Sequence, residues 1–372
     1  MLTNFAALTS EQKTVWSMDL WEMARNMSFV NKFMGSDENS VIQHVTELKK
    51  TEKGNRAVIT LLADLVGDGV AGDRTLEGNE EAMMTSDQVI RFDQIRDAVR
   101  NKGRMSDQKT VVSFRNNARN RLAYWLSDRV DQMAFLTMAG ISYTMYPNGA
   151  MRVGSDLQYL EFAADVTPPT DARRLRWDAT DGLVQAAATT DIVAADKVTW
   201  NTFVQLKAYA KERYIRGVRE SSGQEVYHAF LTPTAMATLK QDEDYILNLR
   251  HAQERGDKNE LFTGTSVKID GIYLHEYRHV PSTRGAADGD KYGAAGDVDG
   301  CQILFCGAQA LGMADIGSPY WDEEGFDYEN QQGISVGKMI GFLKPKFYTI
   351  YEKAVEDFGV ITCYVAVDAN DI

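Results

Sequence analysis

The stretch VRNKGRMSDQKTVVSFRNNARNRLAYWLSDRVDQMAF, residues Val99–Phe135, predicts one very long helix. Ser106 or Asp107 can cap its start, apolar residues then recur at steps of mostly three and four, and Gly140 is a suitable C-cap. Residues 108–139 contain no Pro or Gly, which corresponds to roughly 48 Å of helix. Because strict heptads are absent, this length favours a scaffold that other elements pack against over a coiled coil.

The same part of the chain is strongly basic. Residues 91–121 contain nine Lys or Arg and three Asp, a local charge of +6 in a chain whose formal net charge is −13. Two interpretations stay open for Arg115, Arg119 and Arg121: salt bridges within the protein, or a surface that meets DNA phosphates without reading bases. The acidic balance argues against a protein whose whole surface binds nucleic acid, but it leaves room for one basic face.

Composition sets the broad class. The chain has 372 residues, of which 44% are hydrophobic and 25% charged, as in globular proteins with a substantial core. Its apolar runs are too short to span a bilayer, and its start does not match a signal peptide. Cys301, Cys306 and Cys363 show no metal-ligand spacing, so we expect free thiols in a reducing compartment.

The first hundred residues predict a helix followed by a projecting hairpin. Apolar spacing indicates a helix over residues 10–27 and a strand over 56–65. A polar, Gly-rich loop follows over residues 66–83, and the chain is regular again over 85–102. A long loop between two arms usually has a function. We therefore expect a function for this loop, whose tip includes Gly67, Asp68, Gly69, Gly72, Asp73 and Arg74.

The second half predicts a mixed α+β body. Helices are expected after Thr199 and at Thr232-Pro233, and a tight hairpin at Asp270-Gly271. The predicted strands cover residues 226–231, 301–305, 334–343 and 360–367. Residues 315–329 carry six acidic and no basic side chains. Two interpretations remain for this acidic stretch: a solvated loop, or a docking surface for a basic partner.

The pentapeptide His275-Glu276-Tyr277-Arg278-His279 fits the zinc-peptidase motif, which needs a helix so that both imidazoles reach one ion. Here the motif continues from the Asp270-Gly271 hairpin and is followed by Pro281, so a strand is expected. In a strand the two histidines stand about 13 Å apart. A zinc peptidase, which would make the protein an enzyme, is therefore kept only as a weak alternative.

Two further motifs are incomplete. Residues 288–299 imitate a calcium loop, but position five is Tyr292 and position twelve lacks the bidentate Glu. Residues 333–339 imitate a phosphate loop that is one residue short, with Met339 in place of the magnesium-binding hydroxyl. The sequence thus predicts no enzyme, no catalytic residue, no cofactor and no metal.

Five segments, in their order and extent, resemble the major capsid proteins of N4-like podoviruses, which are tailed bacteriophages. The segments are FDQIRDAVRNKGRMSDQKT (Phe92–Thr110), RNNARNRLAYWLSDRVDQMAF (Arg115–Phe135), FLTPTAMATLKQDEDY (Phe230–Tyr245), FCGAQALGMADIG (Phe305–Gly317) and SVGKMIGFLKPKF (Ser335–Phe347). The resemblance implies an α+β chain with the Hong Kong-type capsid fold.

The resemblance also implies a division of the chain. Residues 1–55 would form an N-terminal arm, and 106–198 the spine helix with the peripheral domain. Residues 56–105 would form an extended loop that overlaps a neighbouring subunit, with an inter-subunit contact at its tip, residues 67–74. Residues 199–345 would form the axial domain, and 346–372 would return to the peripheral domain.

The implied partners follow from the shell. Copies of the chain would form pentamers and hexamers of an icosahedral head around double-stranded DNA, with the spine helix on the inner side of the wall. Portal, scaffolding and decoration proteins are further expected partners. No interaction with a membrane is expected. The protein would belong to the virion and assemble in the host cytoplasm. The shell of a protein-filled bacterial compartment shares the fold and remains an alternative.

Overall fold

The computed structural model describes residues 10–45, 56–62, 65, 67–82, 85–109, 113–185, 188–252, 267–349 and 353–367. Its helices are α1 Ser10–Met27, α2 Arg104–Gln108, α3 Phe114–Ala139, α4 Trp200–Glu212, α5 Pro233–Gln241 and α6 Glu243–Ala252. The first nine strands are β1 Met34–Gly35, β2 Ile42–Val45, β3 Arg56–Leu62, β4 Thr85–Arg91, β5 Asp93–Arg100, β6 Arg174–Asp178, β7 Gly182–Gln185, β8 Val218–Arg219 and β9 Glu225–Leu231. The remaining strands are β10 Val267–Ile269, β11 Ile272–Glu276, β12 Gly300–Cys306, β13 Leu311–Asp315, β14 Tyr320–Phe326, β15 Gln331–Leu343, β16 Lys346–Thr349, β17 Ala354–Asp357 and β18 Val360–Ala366. Short 3-10 helices cover Val30–Phe33, Asp156–Tyr159, Glu161–Asp165, Asp171–Arg173 and Thr189–Asp191.

The long helix α3 is shorter than the sequence predicted. It begins after Ser113, and the expected capping residues Ser106 and Asp107 lie instead in the separate helix α2. The other end is as predicted, because Gly140 caps the helix in the left-handed conformation with φ 71°.

The second half of α3 is surrounded by protein. Every residue from 130 to 139 is buried, so this part shows no polar face. It shares one core with α1 and with strands β12, β13 and β15, and that core includes Leu20, Leu126, Met133, Leu311 and Phe342. The expected role of α3 as a scaffold is confirmed by this packing. None of the described helices combines the length and apolar character needed to cross a membrane.

A six-stranded sheet lies against this core. Its order is β1-β2-β13-β15-β14, and β5 also pairs with β15. The long strand β15 organises the sheet, because it pairs with β14, β5 and β13 along its length. The acidic stretch 315–329 is therefore not a solvated loop, and that interpretation was wrong. Its central residues, Tyr320–Phe326, form strand β14, which buries Trp321 and exposes Asp322 and Glu324, as is common where an edge strand carries charge.

An eight-stranded sheet forms the second half of the body. Its order is β10-β11-β9-β12-β18-β6-β7, with β8 paired to β9. A separate apolar core joins this sheet to α4 and α5 through residues such as Phe203, Leu206, Leu239 and Phe305. The predicted helices after Thr199 and at Thr232-Pro233 are confirmed, and Oγ1 of Thr232 accepts the N–H of Ala235 as an N-cap.

The five-part division of the chain stays a prediction, but strand pairing crosses its boundaries. The C-terminal strand β18 lies between β12 and β6 in the eight-stranded sheet. Strands β13 to β15, assigned to the axial part, pair with β2 and β5 from the arm and the extended loop. Each sheet is thus assembled from segments far apart in sequence.

Candidate assembly surfaces

The hairpin formed by β3 and β4 has one buried and one exposed face. The strands pair from Arg56 opposite Arg91 to Leu62 opposite Thr85, which confirms the expected hairpin. On the inner face, Ile59 and Ile90 are 1% and 0% exposed. On the outer face, Val58 and Val89 face each other across the strands and are 37% and 41% exposed. The outer face thus offers an unpaired apolar strip.

The base of the hairpin is fixed to the body. The side-chain oxygen of Gln88 accepts the backbone N–H of Lys346 at 3.0 Å, and the side-chain amide of Gln88 donates to the carbonyl of Lys346. Ile59 and Ile90 pack in a small core with Leu343 and Phe347. These contacts fix the hairpin to the body of the subunit.

The tip of the hairpin has few contacts within the subunit. The predicted contact residues are all exposed: Gly67, Asp68, Gly69, Gly72, Asp73 and Arg74. The N–H of Gly67 donates to Oε2 of Glu81 at 2.7 Å, which closes the loop on itself. Within the described residues, neither Asp68, Asp73 nor Arg74 forms a salt bridge. The side chains of the tip are therefore available to a neighbour.

The basic residues of α3 fall into two groups. Nη2 of Arg115 lies 2.6 Å from Oε2 of Glu323 on β14, and Nη1 of Arg119 lies 3.7 Å from Oδ2 of Asp19 on α1. The intramolecular salt bridges considered for these two arginines are thus present. Arg121 is exposed and has no ion pair or hydrogen bond with another described residue.

An aromatic cluster reinforces the same contact. The guanidinium of Arg119 lies 5.0 Å from the ring centroid of Trp16, and the rings of Trp16 and Trp321 are 5.7 Å apart. The indole N–H of Trp321 donates to Oε1 of Glu323, whose other oxygen holds Arg115. Part of the local positive charge is therefore used to join α1, α3 and β14.

Asp131 on α3 connects three parts of the chain, and its sequence signal was only an acidic residue within an apolar run. Its buried carboxylate accepts the hydroxyl of Ser28 at 2.6 Å and the backbone N–H groups of Phe29 at 2.9 Å and Val30 at 3.3 Å. It also accepts the hydroxyl of Tyr277, which follows β11. One carboxylate thus fixes the N-terminal segment and the eight-stranded sheet to α3.

One turn earlier, Asp128 makes a second junction. Its Oδ1 lies 2.7 Å from Nε2 of His279 and 2.7 Å from Nη2 of Arg278, and its Oδ2 accepts the side-chain amide of Gln132. Burial alone would raise the pKa of Asp128. The hydrogen bond and charge of His279, together with the charge of Arg278, outweigh burial, and the pKa lies below its usual value.

The zinc-peptidase motif does not form a metal site. His275 and Glu276 lie on β11 as expected, and Nε2 of His275 is 2.9 Å from Nδ1 of His228. Oε2 of Glu276 lies 3.9 Å from Nζ of Lys240, whereas His279 contacts Asp128. Across the described part of the chain, no three His, Cys, Asp or Glu residues are grouped so as to hold a metal ion.

The other motifs have structural roles. Residues 333–339 lie within β15, where Lys338 is buried and forms an ion pair with Asp315. Residues 288–299 form a loop closed by a salt bridge of 2.9 Å between Lys291 and Asp299. The three cysteines are buried and free, as expected.

A spine helix, two sheets and a projecting hairpin define a tailed-phage capsid fold, and solved structures agree. The capsid protein of Ralstonia phage GP4 superposes with a TM-score of 0.76 at 23% identity, covering 92% of each chain. The capsid protein of cyanophage Pam1 gives 0.71 at 17% identity, covering 100% of this chain and 96% of that one. The expected Hong Kong-type fold is confirmed.

Sequence comparison identifies the family. The chain belongs to the phage capsid protein family, because the sequence model of that family matches residues 4–369. It is also 59% identical over 366 residues to the major capsid protein of Pseudomonas phage KPP25, covering 98% of this chain and 97% of that protein.

Proposed function

We propose that this chain is the major capsid protein of a tailed phage, a structural and non-catalytic protein that forms pentamers and hexamers of an icosahedral head around double-stranded DNA. The main support is the hairpin, whose outer face and tip are exposed among the described residues, in a chain that matches the capsid family along almost its whole length. The head belongs to the virion and assembles in the host cytoplasm.

In this proposal the hairpin lies on a neighbouring subunit. A two-stranded ribbon is marginally stable by itself, and its exposed pair Val58 and Val89 gains stability when a second subunit covers it. The polar, glycine-rich tip can adapt to a neighbour in both pentamers and hexamers. The fixed base at Gln88 and Lys346 keeps the direction of the arm constant.

The test is electron microscopy with size-exclusion chromatography on the purified chain, expressed alone and with its neighbouring genes. We expect shells or capsomers from the wild type. We expect Val58→Glu and Val89→Glu to leave unassembled subunits with unchanged thermal unfolding, because both side chains are already exposed. The control Val193→Glu alters a valine that is 56% exposed outside the hairpin, and it should assemble. A strictly monomeric, folded wild type would refute the proposal.

We further propose that packaged DNA meets Arg121, while Arg115 and Arg119 act mainly within the subunit. The support is that Arg121 is exposed, whereas Arg115 and Arg119 form ion pairs within the subunit. Photo-crosslinking in filled heads should capture DNA near Arg121, and failure to do so would refute this contact. If the purified shells contain protein cargo instead of DNA, the chain forms the shell of a bacterial compartment. Portal, scaffolding and decoration proteins are further proposed partners, to be sought by co-purification.

A further inference from the structure

The turn between β14 and β15 presents one fully exposed aromatic side chain. Three consecutive non-glycine residues of this turn have positive φ: Asp327 at 51°, Tyr328 at 51° and Glu329 at 65°. Such residues rarely adopt the left-handed region, so the turn is strained. Tyr328 is 102% exposed, and within the described part of the chain its side chain takes part in no hydrogen bond or ring contact.

The turn is nevertheless held firmly at its base. The N–H of Asn330 donates to the carbonyl of Asp327 at 3.0 Å, and Oδ1 of Asn330 accepts the N–H of Arg104 at 3.3 Å. The guanidinium of Arg100 lies 4.1 Å from the ring centroid of Phe326. Tyr328 is therefore displayed on a rigid support, as is typical of residues that anchor an interface.

A surface of complementary chemistry lies beside the turn. It consists of Lys102, Arg104, Met105 and Lys109, and we call it the basic surface. All four side chains are exposed, with Met105 at 71%, and its three cations form no salt bridge with any described carboxylate. The turn itself carries the exposed carboxylates of Asp327 and Glu329 beside the ring of Tyr328.

We propose that the turn 327–330 of one copy docks on the basic surface of a second copy, with Tyr328 against Met105 and the two carboxylates against the cations. Charge complementarity and the thioether–aromatic contact favour this pairing. Each copy carries both surfaces, so the contact is heterologous, and it closes into a ring where neighbouring copies are related by rotation about a common axis. The inference rests on the proposed assembly of this chain into shells and names one of its contacts.

The first test separates strain from contact. Glycine adopts positive φ without steric penalty. The unassembled subunit of the Tyr328→Gly variant should therefore unfold at the same temperature as the unassembled wild-type subunit, or at a higher one. The same variant should raise the protein concentration needed for assembly by roughly tenfold, the effect expected for loss of an anchoring side chain. Tyr328→Phe keeps the ring and should assemble like the wild type. Assembly of Tyr328→Gly at the wild-type concentration would overturn the proposal.

The second test locates the contact. In the double variant Tyr328→Cys with Met105→Cys, oxidised shells should give covalent multimers on non-reducing gels, while each single variant should not. The background is low because the three native cysteines are buried. If the double variant forms shells without multimers, this contact is wrong and the shell function stands. If the wild type forms no shells at all, both proposals fall.

Discussion

Replacing Asp131 should detach the N-terminal segment from α3. Its buried carboxylate accepts four hydrogen bonds, from Ser28, Phe29, Val30 and Tyr277. Hydrogen bonds to a charged group contribute about 1.5–3 kcal/mol each but are not additive within one cluster. In Asp131→Ala the buried donors lose their acceptor, so we expect the free energy of unfolding to fall by about 3–5 kcal/mol. With an unfolding entropy of roughly 2 cal/mol/K per residue, the melting temperature should fall by about 4–6 °C.

The assay is thermal unfolding of unassembled subunits, combined with limited proteolysis. Loss of the contacts to Phe29 and Val30 should expose the segment between α1 and β1 to cleavage before the body unfolds. Asp131→Asn keeps one accepting oxygen and should lose about half as much stability. Asp19→Asn removes an exposed pair with Arg119 and should change stability by less than about 1 kcal/mol. The reasoning is refuted if Asp131→Ala unfolds within 1 °C of the wild type and the segment stays protected.

Two further predictions concern close packing and pH. In Gly341→Ala the new methyl group would meet the backbone carbonyl of Arg91, which cannot yield as a side chain can. We expect unfolding to become easier by about 1–3 kcal/mol in denaturant titrations, whereas Gly223→Ala meets no atoms and should show only its smaller backbone strain. Burial lowers the pKa of His228 to about 4, although the nearby charge of Glu220 raises it slightly. Burial also lowers the pKa of His275 to about 4, and the nearby charges of His228 and Lys32 lower it further. The unfolded chain therefore binds more protons between pH 6.5 and 4, and stability should fall as the pH drops through this window, by at most about 3 kcal/mol per histidine. Replacing both histidines with glutamine should flatten that part of the pH profile, and an unchanged profile would contradict the assignment.

Features controlled by neighbours in sequence were predictable. Gly140 ends α3, Thr232 and Pro233 open α5, and Asp270 and Gly271 form their turn, because caps and tight turns depend on a few adjacent residues. The start of α3 was misplaced because Ser106 and Asp107 can cap any helix, and they belong to the separate α2. The Asp270-Gly271 hairpin before the zinc-peptidase motif and Pro281 after it were enough to favour a strand over a metal site.

The sequence by itself determined the α+β class, the spine helix, the hairpin and, through resemblance, the capsid family. Only the tertiary structure decided which charges meet. Arg115 pairs with Glu323, 208 residues away, and Asp131 binds Phe29, 102 residues away. It also decided that Tyr320–Phe326 of the acidic stretch form a strand and that β18 enters the eight-stranded sheet between β12 and β6. The physical reason is that the residues adjacent to a charged side chain or a strand edge do not specify which distant residue or strand it will pair with. The partner is selected by burial and hydrogen bonding once distant segments are brought together.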